Sequence, residues 1–360
     1  MNLRTLILGL VFTFFAATDI PAVAPVTPGA APEAVALLEF ISSLSGKHIL
    51  TGQHNFPNTK DASTVRVTEI YGKEPALFGQ DFGFAAPGDQ DAAAARPEIV
   101  EEVKRQYARG ATIALCWHAV PPTADEPVTF HPKRDASPTN ALASVQGRLT
   151  DAQWRDLLTP GTDLYNRWCA QVDVIAGWLQ KLQEARVPVL WRPYHEMNGR
   201  WFWWGGRPGT NGTSALYRQL FDRFVNHHHL TNLVWVWSVD RPGINAGTFA
   251  EFYPGENYFD VAALDVYRND FQQSYYTNLL ALARGKPVTL AEVGPPPAVE
   301  ILDRQPLWTW WMSWAGGRIG TNAAIQALFN DPRCWSLRDP EYLKATAPIR
   351  AASGLPSMPR

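Results

Sequence analysis

Cysteine is scarce in this 360-residue chain, which has only Cys116, Cys169 and Cys334. Three is an odd number, so no disulfide framework can be read, at most one bridge can form, and a thiol is left over. An excess of either charge is missing too. Thirty-two Lys and Arg stand against 34 Asp and Glu, a net charge of −2 with no run of five like charges. Nucleic acid and anionic membrane surfaces are thereby excluded as partners. Beyond the N-terminus no stretch approaches the ~18 apolar residues of a membrane span. Several chemical signatures are also lacking. No Gly-x-Gly-x-x-Gly follows the first strand-like run, and no glycine pair has P-loop spacing. Neither a Gly-x-Ser-x-Gly elbow nor a His-Glu-x-x-His helix is present. Dinucleotide, serine-hydrolase and zinc-hydrolase chemistries lose their usual anchors. His227-His228-His229 is a weak substitute, since consecutive helical residues point to different sides and read as a solvated helix end.

What the chain does have is apolar and aromatic mass: 46% hydrophobic residues, 18% charged, with 15 Trp, 11 Tyr and 17 Phe. A chain of this length hides roughly 75% of its unfolded surface and needs neither disulfide nor metal to fold. The first 24 residues read as an export signal. Arg4 precedes an apolar run, Leu6–Ala17, and Ala22-Val23-Ala24 forms a small-x-small site. The mature protein is therefore expected to be secreted or periplasmic, free of the membrane once the signal is removed, and monomeric. Residues 25–32 form a short Pro-rich linker, and 33–360 a single domain.

After a helical stretch, Pro32–Ser45, eight strand-like runs recur: His48–Gln53, Ala76–Phe82, Thr112–His118, Val187–Glu196, Asn232–Ser238, Asp260–Tyr267, Pro287–Gly294 and Leu307–Trp314. Helical periodicity fits Arg96–Arg109, Leu164–Arg186, Ser214–His229 and Phe271–Arg284, with Asp163 and Thr213 as N-caps. Near-continuous apolar strands alternating with helices imply a parallel sheet buried on both faces. Eight such units close into an α/β fold of the (β/α)8 TIM-barrel type. The segment Ala119–Thr162, over 40 residues with little periodicity, reads as a lid or rim.

In such a barrel the active site lies at the C-terminal ends of the strands. Those ends carry Gln53-His54, Asp81, Trp117-His118, His195-Glu196, Trp237, Tyr267, Glu292 and Trp314. A rim hydrogen bond would explain any one of them; eight at equivalent positions point to a site. Strand alternation puts Glu196 on one face with Tyr194 and Arg192, and Glu292 with Leu290 and Val288. Both carboxylates then reach the mouth, as glycoside hydrolysis requires of its acid and its second carboxylate. An apolar wall of Trp201, Trp203 and Trp204 would keep Glu196 protonated, whereas Tyr267 or Arg192 would hold Glu292 ionised. Eleven of the 15 Trp fall in or just after the third, fourth, fifth and eighth runs. Flat aromatic faces suit the C–H faces of sugars. Trp191, Trp235, Trp308 and Trp310 read as wall or core, while Trp201, Trp203 and Trp204, among glycines, read as more exposed.

The string Trp191-Arg192-Pro193-Tyr194-His195-Glu196-Met197-Asn198-Gly199-Arg200-Trp201-Phe202-Trp203-Trp204-Gly205 resembles the acid/base motif of glycoside hydrolase family 26, the β-mannanase family. Leu290-Ala291-Glu292-Val293-Gly294 is similar to that family's nucleophile motif, and Leu50–His54, Gly79–Phe82 and Cys116–His118 match in order. The resemblance runs from about residue 36 to 330. It implies Glu196 as acid/base and Glu292 as nucleophile in a retaining mechanism. It also implies His118, His195, Trp201 and Tyr267 around the cleaved sugar, with Trp314 rather than Trp311 as the platform beneath it. Neither cofactor nor metal is implied, and the partner is a β-mannan polysaccharide or oligosaccharide. The expected activity is endo-β-1,4-mannanase; a β-1,3-xylanase, a mixed-linkage β-glucanase or a non-catalytic carbohydrate-binding barrel are the alternatives.

Overall fold

The computed structural model describes residues 23–86, 90–127, 129–131, 144–315 and 320–358. The export-signal reading falls almost wholly outside them, as do parts of the 119–162 segment. Eight parallel strands follow the chain: β1 (Ile49–His54), β2 (Leu77–Asp81), β3 (Thr112–Trp117), β4 (Val189–Pro193), β5 (Leu233–Asp240), β6 (Val261–Val266), β7 (Val288–Val293) and β8 (Trp308–Ser313). Each pairs with the next, and β8 pairs back onto β1 through Leu50↔Trp310 to Gln53↔Ser313, closing the barrel. All eight expected runs are strands; six are shorter than expected, β1 is shifted by one residue, and β5 runs two residues further, to Asp240. A short added strand, Cys334–Trp335, lies on the start of β1.

Nearly every strand residue is buried because helices cover the outside and side chains fill the inside. Outward indoles build the barrel–helix interface. Trp191 and Trp235 pack on Phe224, Trp311 on Phe329, and Trp308 on Tyr276. Truncating such a side chain costs about 3–5 kcal/mol. Trp310 instead lines the interior beside Met312 and Leu190, around a cavity of about 20 Å³, room for a single water.

The long helix Asp163–Glu184 carries its cap one residue earlier than expected. Thr162 Oγ1 accepts from the Tyr165 amide, and Asp163 is the first helical residue. Thr213 likewise lies inside its helix (Thr213–Asp222), and its hydroxyl accepts from the Arg207 amide instead of capping. That helix gives way to a π-turn, Arg223–His227. The 119–162 segment is less bare than its sequence suggests. A capping box, Thr150 with Gln153, starts the helix Asp151–Leu157, and Trp154 donates to Asn211 O at 2.8 Å.

Both ends of the described residues dock at the bottom of the barrel. The Val26 amide donates to Asp260 at 2.7 Å, just ahead of β6, and the Ala31 amide to Thr231 O, just ahead of β5. Helix Pro32–Leu44 packs on the last helix, Ala347–Ala352, and Tyr107 OH meets Ser353 Oγ at 2.5 Å. All three cysteines are free and buried.

Candidate active site

The fourth strand stops at Pro193, and the backbone then turns through left-handed conformations at Tyr194 (φ 46°) and Glu196 (φ 49°). Each costs about 1–3 kcal/mol and recurs where a site over-determines the chain. This turn overrides the expected alternation. Arg192 points into the barrel, whereas Tyr194 points outward, its hydroxyl accepting from Trp168 Nε1 at 2.9 Å. Glu196 comes to the mouth by the turn, not by strand parity. On β7 a bulge does similar work: Leu264 pairs with Leu290 but Asp265 with Glu292, so Ala291 is an extra residue. Glu292 therefore faces inward opposite Asp265 and does not share the face of Leu290.

Glu196 is buried, and its Oε2 accepts from Trp201 Nε1 at 2.5 Å. Burial pushes its carboxyl well above the usual range, and Glu292, Asp265 and Asp240 add to the push. Glu292 sits differently. Its Oε2 accepts from Arg192 Nη2 at 2.5 Å and its Oε1 from the Tyr267 hydroxyl at 2.6 Å. Arg192 also donates to Asp265 at 2.7 Å, so one guanidinium bridges two buried carboxylates. Ser238 Oγ completes Asp265 at 3.0 Å. Burial, with Glu292 next, raises the Tyr267 phenol, which stays a donor. Arg192 pairs with Asp265 and Glu292, and no Glu196–Arg192 ion pair forms among the described residues.

The two histidines meet at this mouth: His118 Nε2 lies 3.1 Å from His195 Nε2. His118 Nδ1 is 2.6 Å from Asp81. Burial, followed by Arg192, holds His195 well below the usual imidazole range. Gly83 has to be glycine here, because a Cβ would lie 2.5 Å from His118 O. Across the mouth Trp314 keeps partial exposure and stacks on His54 at 3.9 Å and 19°. His54 is buried and held at about 3 by desolvation, hence neutral. Beside Trp314 and Tyr267 opens a cavity of about 460 Å³ walled by Pro295, Trp311 and Phe329.

The indoles divide more sharply than their sequence setting suggests. Of the eleven in or after the four segments, only Trp201 and Trp314 retain exposure. Trp203 and Trp204 are fully buried, donating to Ala119 O and His195 O. Glycine neighbours permit close packing here, not exposure. At Gly199 a Cβ would fall 2.3 Å from the Trp201 ring. Trp117 and Trp237 are likewise buried, Trp237 donating to Met197 Sδ at 2.8 Å. Gln53 bonds the backbone of His54 and Ser313.

Asp265 and Asp240 belong to the site and were not foreseen. Asp265 is a lone carboxylate in an apolar strand, and strand parity alone could have flagged its inward direction. Asp240 is drawn in by Asn198, which accepts from its amide and donates to its carbonyl, both at 2.7 Å. Burial raises the Asp240 carboxyl to about 6. Among the described residues, two clusters place metal-type ligand atoms within 4.8 Å. In Asp81, Cys116 and His118, burial pushes the Cys116 thiol well up, leaving no thiolate. In Asp173, His227 and His228, both Asp173 oxygens already accept from Arg223 at 2.6 Å. His227 and His228 do not diverge as expected, because the π-turn brings their rings to 4.8 Å.

A closed parallel barrel with two buried glutamates at its C-terminal face is the arrangement that two-carboxylate glycoside hydrolysis requires. Residues 26–339 match glycosyl hydrolase family 26, and the chain belongs to that family. It is 32% identical over 295 residues to a mannan endo-1,4-beta-mannosidase of Thermothelomyces thermophilus, covering 80% of this chain and 56% of that one. The chain thus spans about half the length of the first curated relatives it matches. Among solved structures, GH26A from Muricauda sp. shares 40% identity with a TM-score of 0.79, covering 86% of this chain and 98% of that one. A beta-mannanase from a symbiotic protist of the termite Reticulitermes speratus, complexed with gluco-manno-oligosaccharide, shares 27% with a TM-score of 0.70, covering 87% and 96%.

Proposed function

We propose that this chain is an exported endo-β-1,4-mannanase that hydrolyses mannan, glucomannan or galactomannan with net retention. The observation that carries the reading is the unequal setting of two identical side chains. Glu196 is buried beside Trp201 and pushed toward its protonated form, which suits an acid that delivers a proton to the leaving oxygen. Glu292 accepts from Arg192 and Tyr267, and the lone pairs left on its oxygens suit attack on the sugar carbon. Water, deprotonated by Glu196, then releases the glycosyl intermediate. Trp314 and Trp201 are the partly exposed aromatic faces for the sugar ring, with His118 and His195 beside it. The substrate class rests on the named activities of the relatives, the export on the first 24 residues.

The test combines substrates and variants. Wild type is given mannan, xylan and mixed-linkage β-glucan, with product chromatography. Short manno-oligosaccharides from internal cleavage are expected; reducing ends from xylan or glucan alone would reassign the substrate. Glu292→Ala should abolish turnover yet retain oligosaccharide binding. Glu196→Ala should impair mannan far more than aryl glycosides, whose leaving groups need little protonation. Equal losses on both substrates would remove Glu196 from the acid role.

A further inference from the structure

Asp81 lies at the end of β2, fully buried, and accepts three hydrogen bonds. Its Oδ1 takes the backbone amides of Gly83 (2.8 Å) and His118 (3.0 Å), and its Oδ2 faces His118 Nδ1 at 2.6 Å. A carboxylate only accepts, so the proton in the last contact sits on Nδ1. His118 Nε2 is 3.1 Å from His195 Nε2, and two ring nitrogens at that distance share one proton. When Nδ1 carries the single proton of His118, its Nε2 is the acceptor, and His195, held neutral by burial, carries Nε2–H. His195 Nδ1 is then bare, and it has no partner among the described residues. A buried acceptor left unpaired costs about 1–3 kcal/mol.

We infer that Asp81 is a positioning residue: it fixes the tautomer of His118, and through His118 that of His195, and so the setting of the ring next to the acid Glu196. The inference rests on the proposed reading of Glu196 and Glu292, which places the cleaved sugar beside this pair.

The geometry makes Asp81→Asn a directed perturbation. Both backbone amides converge on Oδ1, so the amide oxygen must stay there and its NH2 must face His118 Nδ1. That ring then carries Nε2–H, His195 Nε2 becomes the acceptor, and His195 moves its proton to Nδ1. Shape and both backbone bonds survive while both tautomers invert. The expected loss in kcat on mannan is at least about 100-fold, by analogy with wrong-tautomer variants of catalytic triads.

The test pairs kinetics with nitrogen-15 NMR of histidine-labelled protein. Wild type should show His118 protonated at Nδ1 and His195 at Nε2, and Asp81→Asn the reverse, with Tm shifted by only a few degrees. A folded Asp81→Asn with kcat within threefold of wild type would overturn the inference, as would a wild-type His118 bare at Nδ1. If Asp81→Asn does not fold, the wild-type spectra alone decide. Glu196→Ala and Glu292→Ala run in the same assay keep the two failures apart. Near-wild-type turnover in those variants sinks the site reading, whereas their inactivity beside an active Asp81→Asn sinks only the role of Asp81.

Discussion

Arg192→Met would remove the cation that touches two buried carboxylates. Arg192 meets Asp265 at 2.7 Å and Glu292 at 2.5 Å, with only 8% of its side chain exposed. Methionine fills most of the volume, so the cost is chiefly electrostatic. Breaking a buried pair by deleting one partner costs about 3–5 kcal/mol, because the other charge stays buried. Unfolding entropy of about 2.1 cal/mol/K per residue gives roughly 0.75 kcal/mol/K for 360 residues. The expected fall in Tm is therefore about 4–7 °C at pH 7. Its pH dependence has a definite sign. Burial already holds the Asp265 carboxyl well above its ordinary value, against the pull of Arg192, and losing the cation raises it further. A carboxyl raised in the folded state contributes stability at low pH that is lost as pH climbs through the folded value. Differential scanning calorimetry should accordingly find a smaller penalty at pH 5 than at pH 8. Adding Asp265→Asn, whose amide can still bond Ser238, should recover part of the loss. A fall in Tm under about 2 °C at pH 7, or a double variant no better than the single, would refute the argument.

Two substitutions around Glu196 should displace the alkaline limb of the kcat/KM profile in opposite directions. Trp201→Phe removes the hydrogen bond that lowers the Glu196 carboxyl, so the limb should move to higher pH; Asp240→Asn removes a negative charge that raises it, so the limb should move lower. Displacement in the same direction would contradict this account of Glu196. For the cysteines, a thiol-reactive disulfide reagent should titrate none in the native protein and three after denaturation without reductant. Fewer than three would mean that a bridge forms in solution.

Elements set by local pattern were legible in the sequence. The eight apolar runs became the eight barrel strands because burial on both faces writes a signal needing no partner. Features set by a distant partner were not. Asp163 reads as a cap, yet it is the Thr162 oxygen that reaches the amide of Tyr165. Tyr194 reads as mouth-facing by parity, yet a left-handed turn and the reach of Trp168 send it outward. Trp203 and Trp204 sit among glycines, which allowed them to sink instead of exposing them. Both glutamates could be found from strand-end position, but the residues that differentiate them could not all be found. Arg192 and Tyr267 lie close in sequence logic, whereas Asp265 and Asp240 gain meaning only once β5 and β6 flank the mouth.

The docking of Val26 and Ser353 against the bottom of the barrel has a practical side. Val26, tied to Asp260, and Ser353, tied to Tyr107, lie on the face away from Glu196 and Glu292. A tether joined near Val26 or Ser353 would therefore leave the barrel mouth pointing away from its support. Held on a bead or displayed on a surface through either point, the protein would offer its open face to an insoluble polymer, with no need to re-engineer the rim.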